Sequence, residues 1–574
     1  MWRLGPRLSI SAGPTSVGLA PKRLPSHHFG MTDPMSFALH YLGDGYSTDA
    51  KLMGRQAVGK SLFRAIARRW SDGEVFGFGR GVSRAMMDQL QQEGFAGRLV
   101  WREQGSTAPP PGFPGSVYHP GPIPLAMAHD RNREGPGAYS LFGVTHTLSS
   151  LGAMDSIGDL AGAPFQPWDA LICTSTAAVT LVRSLMAERR AWLAEHYGAT
   201  RFSEIELPVI PLGVDVASLA RPASEIEAAR RDLGLAPGDV AFLFAGRLSF
   251  HAKANPAPLY QALERAAAGR RLVCIEAGQF HNEAIAESYR DAQSALAPSV
   301  RFLHAKGGDA GDYRRAWCVA DVFVSISDNI QETFGITPVE AMASGLPVLV
   351  SDWNGYRDTV REGLDGFRIP MIGAPEGGAI DLALRHALQM DTYDRYIGQF
   401  SMATAADPEV LSRRIGELAD SPDQRARMGA SGRARALAEF DWPVILHRYQ
   451  ALAGELGRLR SSATGGQIPW PLRPDPSRLF GHFPTRRLAP DWIVSAPSGR
   501  EAALEDLLRL RMTTYVLDPV RLPPEMIRDL HRLAQAGPRT VSDLMAAAGG
   551  GGRPRLRALM WLAKLGLADL KPPA

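Results

Sequence analysis

Two carboxylates, Glu332 and Glu340, stand eight residues apart in the segment 331–352, QETFGITPVEAMASGLPVLVSD, across a glycine turn and the start of a helix. Glu332-Thr333-Phe334-Gly335-Ile336 reads as a turn whose glycine leaves the backbone open. Thr337-Pro338 begins a helix, because proline is tolerated in a first turn. Free amides at such a start attract phosphate. The helix runs through Val339 to Ala343 and stops at Ser344-Gly345; the apolar run 346–350 that follows reads as a buried parallel strand. Glu332 therefore precedes the helix and Glu340 lies within it, an arrangement able to grip a nucleotide sugar.

This segment resembles the E-x7-E signature of retaining GT-B glycosyltransferases, the glycosyltransferase family 4-like group (glycosyl transferases group 1): both glutamates, the F-G-I between them and the E-A-M-A-S-G-x-P-V tail agree. The resemblance implies that Glu332 touches the transferred sugar. It gives the diphosphate to the backbone of Thr333, Phe334, Gly335 and Ile336, and the ribose hydroxyls to Glu340.

Upstream, the apolar run 240–245 breaks at Gly246 into Arg247-Leu248-Ser249-Phe250-His251-Ala252-Lys253, which resembles the family's G-R-x5-K element. A departing nucleoside diphosphate gathers negative charge as the glycosidic bond breaks, so cations fixed at a strand end favour the transition state over the ground state. Arg247 can fork onto phosphate oxygens and Lys253 adds a point charge. Ala254 stands where the family usually has glycine, which leaves the loop path beyond Lys253 open. In the first half, 139–149 reads as a strand ending in a polar loop, and His146 resembles the family histidine that faces the donor sugar. The opening strand 37–42 runs into the loop Gly43-Asp44-Gly45-Tyr46-Ser47-Thr48-Asp49, whose Gly43 and Gly45 are read as donor-side candidates. Segments 169–175 and 209–215 also resemble family segments and are read as architectural, with Asp215 expected at the cleft.

Those motifs need strands to end on them. Strand and helix signals alternate to about Asp215 and again from Val240 to about Leu384, the pattern of two doubly wound parallel sheets, whose ligands bind beyond the carboxyl ends of the strands. The fold class expected is α/β of GT-B architecture: an N-terminal Rossmann-like acceptor domain over 35–215 and a C-terminal nucleotide-sugar donor domain over 216–460, with a closing helix at 441–459. Residues 461–498, rich in proline, glycine and serine, read as a linker. Residues 499–574 carry three helical patterns, 524–536, 540–548 and 553–564, and look like a winged-helix module. Arg553, Arg555, Arg557 and Lys564 make the last pattern basic, but Asp529, Asp543 and Asp569 offset the charge, so protein contact or plain packing is preferred over DNA.

At 574 residues the chain exceeds one hydrophobic core. Its formal charge of +4 is too small to argue for nucleic-acid binding over the whole surface, and no apolar run approaches bilayer length. Cys173, Cys274 and Cys318 are far apart, each in an apolar segment, which fits reduced thiols in a cytoplasmic protein. The leader, 1–34, carries no acid before Met31; a transit peptide, a start at Met31 and a disordered tail are all open. The helix expected from Gln56 to Trp70 places Lys60, Arg64, Arg68 and Arg69 among apolar residues. That pattern suits an anionic inner-membrane surface or an acidic acceptor, although an outer face packed on its own sheet is preferred.

The function these readings imply is transfer of a hexose-type sugar, with retention, from a nucleoside-diphosphate sugar to the hydroxyl of a saccharide, lipid-linked or small-molecule acceptor. No cofactor is expected. No metal is expected either, since the chain has no Asp-x-Asp pair. A GT-B phosphorylase or sugar-nucleotide epimerase is the alternative, and a sugar-nucleotide sensor with a DNA- or protein-binding tail a further one. Ser327-Asp328-Asn329-Ile330 and the stretch 352–358, DWNGYRD, depart from the commonest family patterns and are read as shaping the sugar pocket or an acceptor edge.

Overall fold

The computed structural model describes residues 33–46 and 54–573, apart from Thr107, Ala163 and Pro519. The leader to residue 32, Met31 included, and Ser47 to Asp49 of the first loop lie outside the described residues. The chain divides into two compact units, Met1–Trp470 and Pro471–Ala574.

The first unit holds two six-stranded sheets. One is built from β1 (Ala38–His40), β2 (Glu74–Gly79), β3 (Arg98–Glu103), β4 (Ser116–Tyr118), β5 (Ser140–Val144) and β6 (Ala170–Ile172), in the order β3-β2-β1-β4-β5-β6. The other is built from β7 (Asp239–Ala245), β8 (Arg271–Gly278), β9 (Arg301–Lys306), β10 (Val322–Ser325), β11 (Val348–Ser351) and β12 (Gly366–Ile369), in the order β12-β11-β10-β7-β8-β9. Every neighbouring pair in both sheets is parallel. Counted within itself, the second sheet repeats the order of the first, so the α/β fold is the pair of doubly wound, Rossmann-like layers of the GT-B architecture. Continuous apolar strands such as Val240-Ala241-Phe242-Leu243 are buried because helices cover both faces.

The helices that matter below are α1 (Gly54–Arg69), α2 (Leu151–Asp159), α3 (Thr176–Tyr197), α4 (Ile336–Ala343), α5 (Ile380–Ala387), α6 (Tyr393–Ser401) and α7 (Trp442–Arg460). Although α7 belongs by sequence to the stretch read as the second domain, it packs on the first sheet. Its ridge Ile445, Leu446, Tyr449, Leu452, Ala453 and Leu456 is buried, with the Tyr449 ring 5.5 Å from Tyr118 and 6.2 Å from Phe142. The Gln450 amide donates to the Pro34 carbonyl at 3.0 Å. The first domain is thus completed by the end of the second. Two crossovers lie side by side: the Val214 amide donates to Phe440 at 2.9 Å and the Trp442 amide to Val214 at 3.1 Å.

Between β12 and the helix that starts at Pro408 the chain leaves the sheet. It forms an antiparallel ribbon of β13 (Met371–Gly373) and β14 (Thr404–Ala406), with α5 and α6 between the two strands. The basic face of α1 is engaged within the protein at three positions: Arg64 pairs with Glu93 at 2.7 Å, Arg68 with Asp215 at 2.8 Å, and Arg69 donates to Gln450 at 3.3 Å. No helix among the described residues is long and apolar enough to cross a membrane.

The second unit contains α8 (Pro524–Gln535), α9 (Val541–Ala547) and α10 (Arg553–Lys564), close to the three expected patterns. It also contains an antiparallel sheet in which β15 (Ile493–Ser495) lies between β16 (Arg539–Thr540) and β17 (Asp569–Lys571). Strand β15 falls inside the stretch read as a linker. Three residues in a proline- and serine-rich background give too short an apolar run to read, yet Val494 is fully buried in the unit's core.

Candidate functional site

In the second sheet β7 and β10 are neighbours. The chain leaves them in opposite directions, β7 towards β8 and β10 towards β11, which opens a crevice at their carboxyl ends. Gly246, Arg247 and Lys253 follow β7; the loop to Glu332 and then α4 follow β10. Both expected motifs converge there.

The Lys253 ammonium lies 2.5 Å from Glu332 Oε2, with the two side chains 23% and 12% exposed. Burial alone would raise the Glu332 carboxyl, but the Lys253 charge and hydrogen bond, with the Gly335 and Phe334 amides, outweigh it and hold the group below its usual range. The Tyr356 hydroxyl is 3.5 Å from the same oxygen and 2.8 Å from Ser325 Oγ. Glu340, within α4, has no such partner among the described residues. Burial pushes its carboxyl up to about 7 against the pull of Lys253. One turn of chain therefore carries an ionised carboxylate and one poised near neutrality, with a single ammonium acting on both.

Gly335 takes φ +92° and caps α4. A Cβ there would lie 2.2 Å from the Tyr356 ring, so the position requires glycine on two counts. The cap supplies no side-chain hydrogen bond, leaving the first amides of α4 open to an anion. The Arg247 guanidinium donates to the Ala252 carbonyl at 3.0 Å and reaches Gln331 Oε1 at 3.4 Å, which folds the 247–253 loop back toward Glu332. Beyond Lys253 the path left open by Ala254 is a helix start: Asn255 Oδ1 accepts from the Ala257 amide at 3.1 Å.

The first domain meets this group at the ends of β5 and β6. Thr333 Oγ1 donates to the His146 carbonyl at 2.6 Å, and Ser175 Oγ donates to the Thr333 carbonyl at 2.8 Å. The Thr176 hydroxyl donates to Asp358 at 2.8 Å, and the Tyr393 hydroxyl lies 2.8 Å from Ser149 Oγ. His146 thus sits beside the Glu332 turn, half-buried. Ile336 and Thr333 lie in the same turn, while the Phe334 ring is buried against Phe440 at 6.2 Å.

Not every candidate joins the cluster. Gly43 and Gly45 form a short 3-10 turn at the end of β1; Gly43 is exposed and Gly45 packs under Pro120, with no described contact to Glu332. Asp215, expected at the cleft, lies at the crossover with Arg68. Asp169 forms a fully buried pair with Arg131 at 2.5 Å, an architectural contact.

The stretch 352–358, read as shaping the sugar pocket or an acceptor edge, brings Asn354 and Tyr356 to Glu332, a contact that the sequence did not show. Asn354 has φ +45° and donates to the Glu332 carbonyl, and Gly355 lets that turn lie against Phe334. The Asn-Gly pair was legible as a turn; its approach to Glu332 depends on β11 lying next to β10. Asn329, flagged as a departure, ties the site loops together: its amide donates to the His251 carbonyl at 3.1 Å, and its carbonyl accepts from Trp353 Nε1 at 3.1 Å.

Residues 225–374 match the family Glycosyl transferases group 1. Among curated proteins, the D-inositol 3-phosphate glycosyltransferase of Streptomyces scabiei is 29% identical over 266 residues, 45% of this chain and 49% of that protein. The phosphatidyl-myo-inositol mannosyltransferase of Mycobacterium leprae is 34% identical over 113 residues, 19% and 28% of the two chains. The chain spans about half the length of the first of these relatives. Among solved structures, Anabaena Alr3699/HepE in complex with UDP aligns with 74% of this chain and 99% of its own at 16% identity and a TM-score of 0.44. Sucrose-phosphate synthase from Thermosynechococcus elongatus aligns with 75% and 99% at 17% identity and the same TM-score.

Proposed function

We propose that this chain is a retaining glycosyltransferase that moves a hexose-type sugar from a nucleoside-diphosphate sugar to an acceptor hydroxyl without a metal. The observation that carries the reading is the Lys253–Glu332 pair beside the uncapped start of α4, with Arg247 on the adjoining loop. A diphosphate arriving at the amides of α4 meets two cations already fixed at strand ends, so the charge that develops on departure is met without reorganisation. The bond between the anomeric carbon and the β-phosphate oxygen breaks, and the acceptor oxygen bonds to that carbon on the same face. The acceptor proton passes to the departing phosphate oxygen. Glu332, kept ionised by Lys253, accepts from the sugar hydroxyls, His146 beside its turn adds a further contact to the sugar, and Glu340 serves the ribose.

The matched family and the names of the curated relatives support sugar transfer. Those names carry D-inositol 3-phosphate and phosphatidyl-myo-inositol, both with a hydroxyl-bearing ring and a phosphate, and support a ring hydroxyl as the acceptor group. The buried free thiols of Cys173, Cys274 and Cys318 fit a cytoplasmic setting, and the C-terminal unit is read as a winged-helix-like module for protein contact.

The experiment is a thermal-shift panel of UDP, GDP, ADP and dTDP with their glucose, mannose and N-acetylglucosamine forms, on the wild type and Glu340→Ala. A selective ligand raises the melting temperature by mass action. One nucleotide series that shifts the wild type and not Glu340→Ala supports the site. No shift with any nucleotide sinks the reading, and nucleoside diphosphate release that ignores added acceptor sinks the transfer step.

A further inference from the structure

The excursion 371–406 lies almost wholly beyond the family match, which ends at residue 374, and is closed on itself by the β13–β14 ribbon. It carries an open cavity of about 380 Å³ shared with the first domain, lined by His386, Gln389, Met390, Asp391, Thr392 and Tyr393 on one side and by Ser150 and Leu151 on the other. That volume lies within the roughly 300–1,000 Å³ of small-molecule sites. We propose that this cavity binds the acceptor as a neutral, polyhydroxylated ring. The proposal rests on the glycosyltransferase reading above and adds to it the place and the chemistry of the second substrate.

Three observations carry it. First, the cavity adjoins the reaction centre. The Tyr393 hydroxyl, on its wall, lies 2.8 Å from Ser149 Oγ and 3.5 Å from Thr147 Oγ1, on the loop that follows His146, and Tyr393 also feels the charge of Arg247. Second, His386 is 6% exposed, and neither ring nitrogen has a hydrogen-bond partner. Its ring stacks on Tyr396 at 4.4 Å and 4°, which fixes the plane and leaves the polar edges to be met by something else. Buried imidazoles in folded proteins are almost always satisfied. A ligand hydroxyl in the adjoining cavity can donate to the bare ring nitrogen or accept from the N–H of the other. Gln389, held at φ +55° where few non-glycine residues lie, places a second donor-acceptor pair on the same wall.

Third, the charges near the cavity are already spent. Asp391, the carboxylate on the lining, is gripped by Arg385 at 2.7 Å and by Arg395 at 3.6 Å, and no lysine or arginine is among the lining residues. What remains is Leu151 and Met390, the rings of His386 and Tyr393, and the neutral polar groups of Ser150, Gln389 and Thr392. That combination suits the apolar CH face and hydroxyl rim of a sugar-like ring.

The test is saturation-transfer NMR on the full chain with methyl α-D-mannopyranoside, methyl α-D-glucopyranoside and myo-inositol, each with and without a phosphate-bearing counterpart, glucose 6-phosphate. Met390→Trp fills the cavity from an exposed position, and His386→Phe keeps the ring stack while removing both nitrogens. At least one neutral ring should bind the wild type, and each variant should weaken it at least about tenfold, the order expected for one buried hydrogen-bonding group. The nucleotide thermal shift should stay as in the wild type. Binding of none of the neutral rings, undiminished binding in both variants, or binding of the phosphorylated sugar alone would overturn the proposal. Loss of nucleotide binding by the wild type would instead strike the donor reading, while the ring-binding results would still decide the cavity.

Discussion

Replacing Lys253 with methionine keeps the bulk of the side chain and removes the one ammonium within 2.5 Å of Glu332. For a fully buried pair, breaking one side costs about 3–5 kcal/mol. Here Lys253 is 23% exposed, and Glu332 keeps the amides of Gly335 and Phe334, so a cost of about 2 kcal/mol at pH 7.5 is expected. The pH dependence identifies the cause. In the wild type the folded-state pKa of Glu332 is depressed, so its stabilisation is present above the unfolded value and disappears as pH falls through the folded value. In Lys253→Met burial is left as the dominant influence and the pKa rises, so the ionised carboxyl then costs stability above the unfolded value. The gap between the two proteins should be largest at pH 7 to 8 and shrink toward pH 4. Urea unfolding at several pH values measures it, and a cycle with Glu332→Gln isolates the coupling, expected at about 2 kcal/mol. A gap that stays constant from pH 4.5 to 8, or a cycle with no coupling, would refute the electrostatic account and leave Lys253 as packing.

Other perturbations separate backbone from charge. Gly335→Ala forces a Cβ to 2.2 Å from the Tyr356 ring at φ +92°. A left-handed alanine costs about 1–2 kcal/mol and overpacking about 1–3 kcal/mol, so a loss near 3 kcal/mol together with loss of nucleotide shift is expected by denaturation and thermal shift. Because Glu340 sits at about 7 in the folded chain, nucleotide affinity by calorimetry should fall about tenfold from pH 8 to pH 6 as the carboxylate is lost, and Glu340→Gln should flatten that profile. The sign for stability is opposite: a raised carboxyl costs stability above the unfolded value, so Glu340→Gln should be more stable than the wild type at pH 8 and equal to it near pH 4. Arg131→Met strands the fully buried Asp169, which also accepts from Leu141 and Gln166 amides, and should destabilise the first domain by about 3–5 kcal/mol in urea.

The sequence by itself determined the long apolar strands, the alternation that makes two parallel sheets and the donor-side motifs, because each of these is written in neighbouring residues. Buried parallel strands need continuous apolar runs such as Val240 to Ala245, and the turn around Gly335 needs a residue tolerant of positive φ. The order of residues in 246–253 and 331–340 therefore showed which groups stand at strand ends. It could not show that Lys253 binds Glu332, since that follows from β7 lying beside β10, a pairing between strands about eighty residues apart. Sequence separation also hid the contacts of Asn354 and Tyr356 with Glu332, 22 and 24 residues away, which the β10–β11 pairing makes. It hid the return of α7 to the first sheet, because an apolar ridge such as Ile445 to Leu456 states that it must be buried but not against what. Tertiary structure alone placed the excursion's His386 and Tyr393 against Ser149 to Leu151, where side chains without a recognisable motif become the wall of a cavity.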